Sequence, residues 1–136
     1  MEKKFKNINE YRHFVDSLTS EPSKNADAFI SRIRELADKG VDISRLMTAA
    51  VGLPAESGEF TEIVKKIVFQ GKEYNHENAH HMKRELGDIL WYWMNACTAL
   101  GMDPLDVIQE NIEKLSTRYP GGFDSWLSEY RKAGDV

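Results

Sequence analysis

The chain lacks most of what marks a secreted, membrane-bound or nucleic-acid-coating protein. Its 136 residues include one cysteine, Cys97, so no intrachain disulfide can form and a reducing compartment suits it. No basic block occurs. Lys and Arg number 18 against 22 Asp and Glu, a net charge of −4, whereas proteins that grip a nucleic-acid backbone carry a basic face. No apolar run approaches the length of a membrane span, and nothing resembles a signal peptide. These absences lead us to expect a soluble, cytoplasmic protein with neither a membrane nor a nucleic-acid polymer as partner. Sustained period-two alternation and internal repeats are also missing, which leaves an all-α reading. At 41% hydrophobic, there is enough apolar material for one ordinary domain over 1–136.

What is present is helical periodicity. Ile8, Tyr11, Phe14, Val15 and Leu18 share one helical face, with Asn7 or Asn9 available as a cap. Ser20-Glu21-Pro22-Ser23 breaks that helix. Phe29, Ile30, Ile33, Leu36 and Ala37 line a second one, which Gly40 stops. A long pattern then runs from about Ser44 to Phe69, and Pro54 inside it predicts a kink or short break. After a loop over 74–78, a helix from about Glu77 to Leu100 carries Met82, Leu86, Ile89, Leu90, Trp93, Cys97 and Leu100 as its core stripe. Glu85, Asp88, Tyr92 and Asn95 form a second row beside that stripe. Gly101 ends this helix; Asp103 caps the next, with Pro104 in its first turn. Leu105, Ile108, Ile112 and Leu115 are expected to face inward, and Tyr119-Pro120-Gly121-Gly122 closes the element. Phe123, Trp126, Leu127 and Tyr130 make the tail too aromatic for a free end, so it is expected to pack on the body or on a neighbouring subunit. The expectation is a bundle of four or five helices: amino-terminal helices over 1–42, a catalytic core over 43–119 and a tail over 120–136. The two long central helices are joined by a short connection and should form an antiparallel hairpin.

Two acidic pairs stand out on that hairpin, Glu56-x-x-Glu59 and Glu85-x-x-Asp88. A spacing of three puts both members of a pair on one helical face. Surface carboxylates on helices usually have a cation four residues on. Here those positions hold Phe60, Ile63, Ile89 and Tyr92, and only Arg84 lies four before Asp88. Carboxylates set beside apolar stripes are unfavourable unless something positive joins them, and a divalent metal is the simplest candidate.

The last long helix adds Asn111, Lys114 and Arg118 along one side. Lys114 and Arg118 are like charges four apart, which an anion between them would stabilise, although Glu110 could equally hold Lys114 as a surface pair. Four acids and a basic helix point to phosphoryl chemistry on a polyphosphate. Magnesium takes oxygen ligands and bridges protein carboxylates to phosphates. Lys114 and Arg118 would neutralise phosphate charge, and Asn111 would donate a hydrogen bond.

In order, "AESGEFTEIVKK", "RELGDILWYWMNA" and "NIEKLSTRYPGGF" resemble the MazG-type nucleoside triphosphate pyrophosphohydrolases of the all-α NTP pyrophosphatase superfamily, over roughly residues 44–124. The short single repeat and the "RYPGGFD" ending look most like the small phage-encoded members, which would place the protein in a host cytoplasm. The resemblance implies a MazG-like helical bundle completed by oligomerisation, as a dimer or tetramer. It implies cleavage of an NTP or dNTP, a deoxynucleotide by preference, to the monophosphate and pyrophosphate with Mg²⁺ or Mn²⁺. Glu56, Glu59, Glu85 and Asp88 match the metal ligands and catalytic acids, one of them available to orient the attacking water. Asn111, Lys114 and Arg118 match phosphate contacts, and Asn95 matches a residue that touches substrate or a ligand acid. Pro54 departs from the small residue usual before the first acidic pair.

Other residues have plainer readings. Tyr92 lies in the row of Asp88 and Asn95 and could pack near the ligand, while Trp91 points away toward another helix or subunit. Glu62 continues the acidic series, but Lys65 and Lys66 follow it at three and four residues, as in a surface salt bridge. Glu77-x-x-His80 matches half of a di-iron motif, yet His76, His80 and His81 sit at a loop and helix start, where histidines are usually solvated. The alternative to an enzyme is a non-catalytic α-helical interaction module, antitoxin- or adaptor-like.

Overall fold

The computed structural model describes residues 7–130, and the ends of the expected 1–136 domain lie outside that range. Seven α-helices follow in order: α1 Ile8–Leu18, α2 Glu21–Lys24, α3 Ala26–Asp38, α4 Ile43–Phe69, α5 His76–Leu100, α6 Pro104–Arg118 and α7 Ser125–Glu129. Among the described residues there is no strand, only an isolated bridge between Pro120 and Gly122. The five longer helices are those expected from periodicity. The two additions are short: α2 forms where a plain break was expected, with Pro22 in its first turn, and α7 forms in the aromatic tail.

The chain divides into two compact units, the first ending at Ile43 and the second beginning at Ser44. In the first unit α2 packs against α3. Side-chain oxygens close the helix starts: Asn7 accepts from the amides of Asn9 and Glu10, and Asn25 accepts from Ala28. Gly40, at φ +83°, ends the turn after α3. Glu35 joins the Arg32 guanidinium and the Lys39 ammonium.

In the second unit α4 and α5 form the expected hairpin. Arg45 reaches Asn95, Gly52 meets Tyr92 and Glu56 meets Glu85; as one number rises the other falls, so the two helices run antiparallel. Asn75 caps α5 by accepting from Asn78, and Gly101 at φ +64° closes it. Asp103 caps α6 through the Leu105 amide, with Pro104 behind it. A side chain at position 52 would overlap the Tyr92 ring, so glycine is what lets this ring lie against the α4 backbone.

The structure bears on three expectations. Helix α4 runs through Pro54 without the short break that was one of the two expected outcomes. Proline removes one N–H from a 27-residue helix, and the rest of the hydrogen-bond ladder carries the element past it. Second, the inward stripes are less covered than periodicity implies. Leu86, Leu90 and Leu100 on α5 and Leu105, Ile108, Ile112 and Leu115 on α6 are exposed, although α6 does contact α5. Among the described residues, the buried hydrophobic side chains are Ala49, Ile63 and Cys97. Amphipathic spacing reports which face is apolar, not whether a neighbour covers it. Third, the tail rings pair with one another, Tyr119 with Phe123 and Trp126 with Tyr130, and Phe123, Trp126 and Tyr130 are exposed on the single chain, as packing on a neighbouring subunit requires. No helix among the described residues is long and apolar enough to cross a membrane.

Candidate active site

Helix α4 presents Glu56 and Glu59 one turn apart, and α5 presents Glu85 against them. The apolar residues four positions on, Phe60, Ile63 and Ile89, are buried or half-buried, so the carboxylates sit at the border of the packed seam. Oxygens of Glu56, Glu59 and Glu85 all lie within 4.8 Å of one another. Glu85 is 6% exposed, Glu56 is half-buried and Glu59 faces solvent.

Crowding marks the cluster electrostatically. The Glu56 carboxyl is pushed above its ordinary value, first by desolvation, then by the charges of Glu59, Asp88 and Glu85, and last by a hydrogen bond with Glu85. His81 Nε2, one turn earlier on α5, lies 2.9 Å from Glu85 Oε1. Asp88 is exposed and joins the group through its field at Glu56 rather than as a fourth close oxygen.

Three mutually repelling oxygen donors fit a hard divalent cation such as Mg²⁺ or Mn²⁺, whose charge turns the repulsion into attraction. Among the described residues this is the one group of three or more His, Cys, Asp or Glu side chains close enough to share an ion.

The remaining candidates lie around the hairpin. Asn95 is half-buried; its Oδ1 accepts from Arg45 Nη1 at 3.2 Å and its Nδ2 donates to the Trp91 carbonyl. Tyr92 is half-buried on Gly52 and meets Trp91 edge-on, while Trp91 is exposed. Asn111 and Lys114 are exposed on α6. Arg118 is half-buried at the end of α6, with its guanidinium 5.9 Å from the centre of the Tyr119 ring. Glu62 pairs with Lys65 and Lys66, and its carboxyl is held below the ordinary range by those ammonium groups.

The histidines divide. His76 and His80 stack on each other with centroids 6.4 Å apart. The Glu-x-x-His spacing also occurs at Glu10–His13 and Glu73–His76, so it has little diagnostic value here. His81 is the one tied to the acidic cluster. Its sequence signal was its position four residues before Glu85 on one helix, the spacing at which side chains meet. Gly52 and Arg45 carry no comparable signal, because their roles depend on residues 40 or more positions away.

Residues 45–123 match the family model described as the MazG nucleotide pyrophosphohydrolase domain. The chain is 34% identical over 82 residues to the Gene 37 protein of Mycobacterium phage L5, covering 59% of this chain and 71% of that one. No solved structure matches. The match spans the acid-bearing hairpin, α6 and the turn that follows it, more than half of the sequence, and the chain belongs to the MazG nucleotide pyrophosphohydrolase domain family.

Proposed function

We propose that the protein is a metal-dependent pyrophosphohydrolase that cleaves nucleoside triphosphates, deoxynucleotides by preference, to the monophosphate and pyrophosphate. The observation that carries this reading is the approach of Glu56, Glu59 and Glu85 to within 4.8 Å in a family of nucleotide pyrophosphohydrolases. In this reading Glu56, Glu59, Glu85 and Asp88 hold Mg²⁺, with Mn²⁺ as a substitute. The bound cation supplies charge neutralisation at the phosphates and acidifies coordinated water.

The chain's own groups have separable tasks. Glu85 is the fixed, buried carboxylate. Glu56, with its raised proton affinity, is the member suited to take a proton from an attacking water when it is ionised. Glu59 and Asp88 face solvent, where a polyphosphate and its ion arrive. Lys114 and Arg118 neutralise phosphate oxygens, and Asn111 donates a hydrogen bond to them. Asn95 orients the substrate or a ligand acid, with its amide held by Arg45, and Tyr92 lines the nucleotide side.

The bare apolar faces of α5 and α6 support completion of the bundle by a second copy, as a dimer or tetramer. A non-catalytic interaction module would present the same faces. The test is product identification after incubating the protein with a panel of NTPs and dNTPs, with and without Mg²⁺ or Mn²⁺. Metal-dependent monophosphate and pyrophosphate support the enzyme. No turnover of any canonical or modified nucleotide favours the module.

A further inference from the structure

We infer that Arg45 is a positioning residue for the nucleoside end of the substrate, its guanidinium holding the Asn95 amide where the nucleoside of a bound triphosphate meets it. On the pyrophosphohydrolase reading above, from which this follows, Asn95 serves the substrate and not a ligand acid.

Arg45, Gly52, Glu56 and Glu59 are spaced by seven, four and three residues, so they share one face of α4. Across the seam, α5 sets Asn95 against Arg45, Tyr92 against Gly52 and Glu85 against Glu56. The seam therefore has an order: the acids, then the Tyr92 ring on Gly52, then the Arg45–Asn95 bond. At the helical rise, Asn95 lies about 10 Å beyond Asp88 and Arg45 about 16 Å beyond Glu56, too far for either to touch an ion at the acids. In the other direction Ile63, one turn past Glu59, is 5% exposed and fills the seam. A triphosphate held by that ion can extend its nucleoside along the seam only toward the polar end.

Arg45 Nη1 donates to Asn95 Oδ1 at 3.2 Å, and Asn95 Nδ2 donates to the Trp91 carbonyl at 3.0 Å. Only the amide oxygen can accept from a guanidinium and only its nitrogen can donate to a carbonyl, so the two bonds fix which way the amide faces. They leave one N–H and one oxygen lone pair of Asn95 for a ligand. Without Arg45 the oxygen end loses its anchor, and a nucleotide must order it on binding. Arg45 is exposed and Asn95 half-buried, so the bond lies at the rim of the seam and its loss opens no cavity.

The test is steady-state hydrolysis of dATP, dGTP, dCTP and dTTP with Mg²⁺, with inorganic tripolyphosphate as a competitor that lacks a nucleoside. The proteins are the parent, Arg45→Ala, Arg45→Met (which keeps the aliphatic stem without the donor), Asn95→Ala and Arg45→Ala/Asn95→Ala. Binding to a remote, non-reacting part of the substrate acts on KM. Both Arg45 variants should raise KM about 10-fold, the scale of one hydrogen bond, with kcat and tripolyphosphate inhibition unchanged. The double variant should match Asn95→Ala, because Arg45 acts through that amide. Parent-like KM in both Arg45 variants overturns the inference. So does a parallel loss of tripolyphosphate inhibition, or an Arg45 effect that persists in full without Asn95. A parent that hydrolyses none of the four overturns the reading on which this rests, and the inference with it.

Discussion

The Tyr92 ring lies against the backbone of Gly52 in the space that any side chain at position 52 would take. Contact between α4 and α5 at this point sets the two helices that carry the acids, one turn from Glu56 on one side and one turn from Asp88 on the other.

Gly52→Ala should therefore lower the melting temperature. Overpacking costs about 1–3 kcal/mol, and the gain in helix propensity on replacing glycine returns only about 1 kcal/mol. The sign should reverse in a Tyr92→Ala background, where the space is free and alanine becomes neutral or stabilising. Thermal melts of the four proteins in this double-mutant cycle check it. Equal destabilisation in both backgrounds would mean that the ring is not the obstacle.

Glu59→Ala and Asp88→Ala should abolish metal-dependent hydrolysis and leave the apo protein as stable as the parent or more so. Both side chains are exposed, so truncation removes repulsion without opening a cavity. Apo variants that melt well below the parent would contradict an electrostatically strained cluster.

The raised proton affinity of Glu56 fixes the sign of a pH effect. Above its ordinary value of 4.5, the folded state holds a proton that the unfolded state has released. The contribution of this group to apo stability must then fall as pH rises through the window between the unfolded and the folded value. Metal affinity should rise across the same window as the carboxyl ionises. Glu56→Gln should flatten both slopes. Melting curves and Mn²⁺ titrations from pH 4.5 upward check this, and identical slopes in parent and variant would assign the proton elsewhere.

Lys114→Ala and Arg118→Ala should weaken nucleotide binding and transition-state stabilisation together while leaving metal affinity in the absence of nucleotide unchanged. Loss of one charge-assisted phosphate contact corresponds to about 1.5–3 kcal/mol, or roughly 10–150-fold in kcat/KM. Steady-state kinetics beside direct Mn²⁺ binding separates the two effects. A matching loss of Mn²⁺ affinity would place these residues at the ion site and not at the phosphates.

Much of this was readable from the chain because local rules decide it. Asp103 and Gly101 act as caps where the sequence placed them, Asn7 is the one of two candidate asparagines that caps α1, and the two acidic pairs fall on facing helices because a short connection leaves the hairpin few alternatives. The rest depends on contacts that spacing does not encode. Glu85 and Asp88 share one row beside the core stripe, yet Glu85 is buried and Asp88 exposed, because burial depends on what packs opposite each residue and not on spacing. Leu86, Leu90, Leu105 and Ile108 were expected inside and are exposed, because periodicity gives an apolar face without its partner. Pro54 was expected to kink or break α4, and the break does not occur because a single missing donor is weak against a long continuous helix.

The central claim is that the carboxylates on α4 and α5 form the ion site of a pyrophosphohydrolase. Phosphorus-31 NMR of a dNTP incubated with parent or Glu59→Ala protein, with and without Mg²⁺, tests it most directly. Monophosphate and pyrophosphate are expected from the parent with Mg²⁺ alone, and intact substrate in the other three samples. The same products from Glu59→Ala, or from the parent in the presence of chelator, would contradict it.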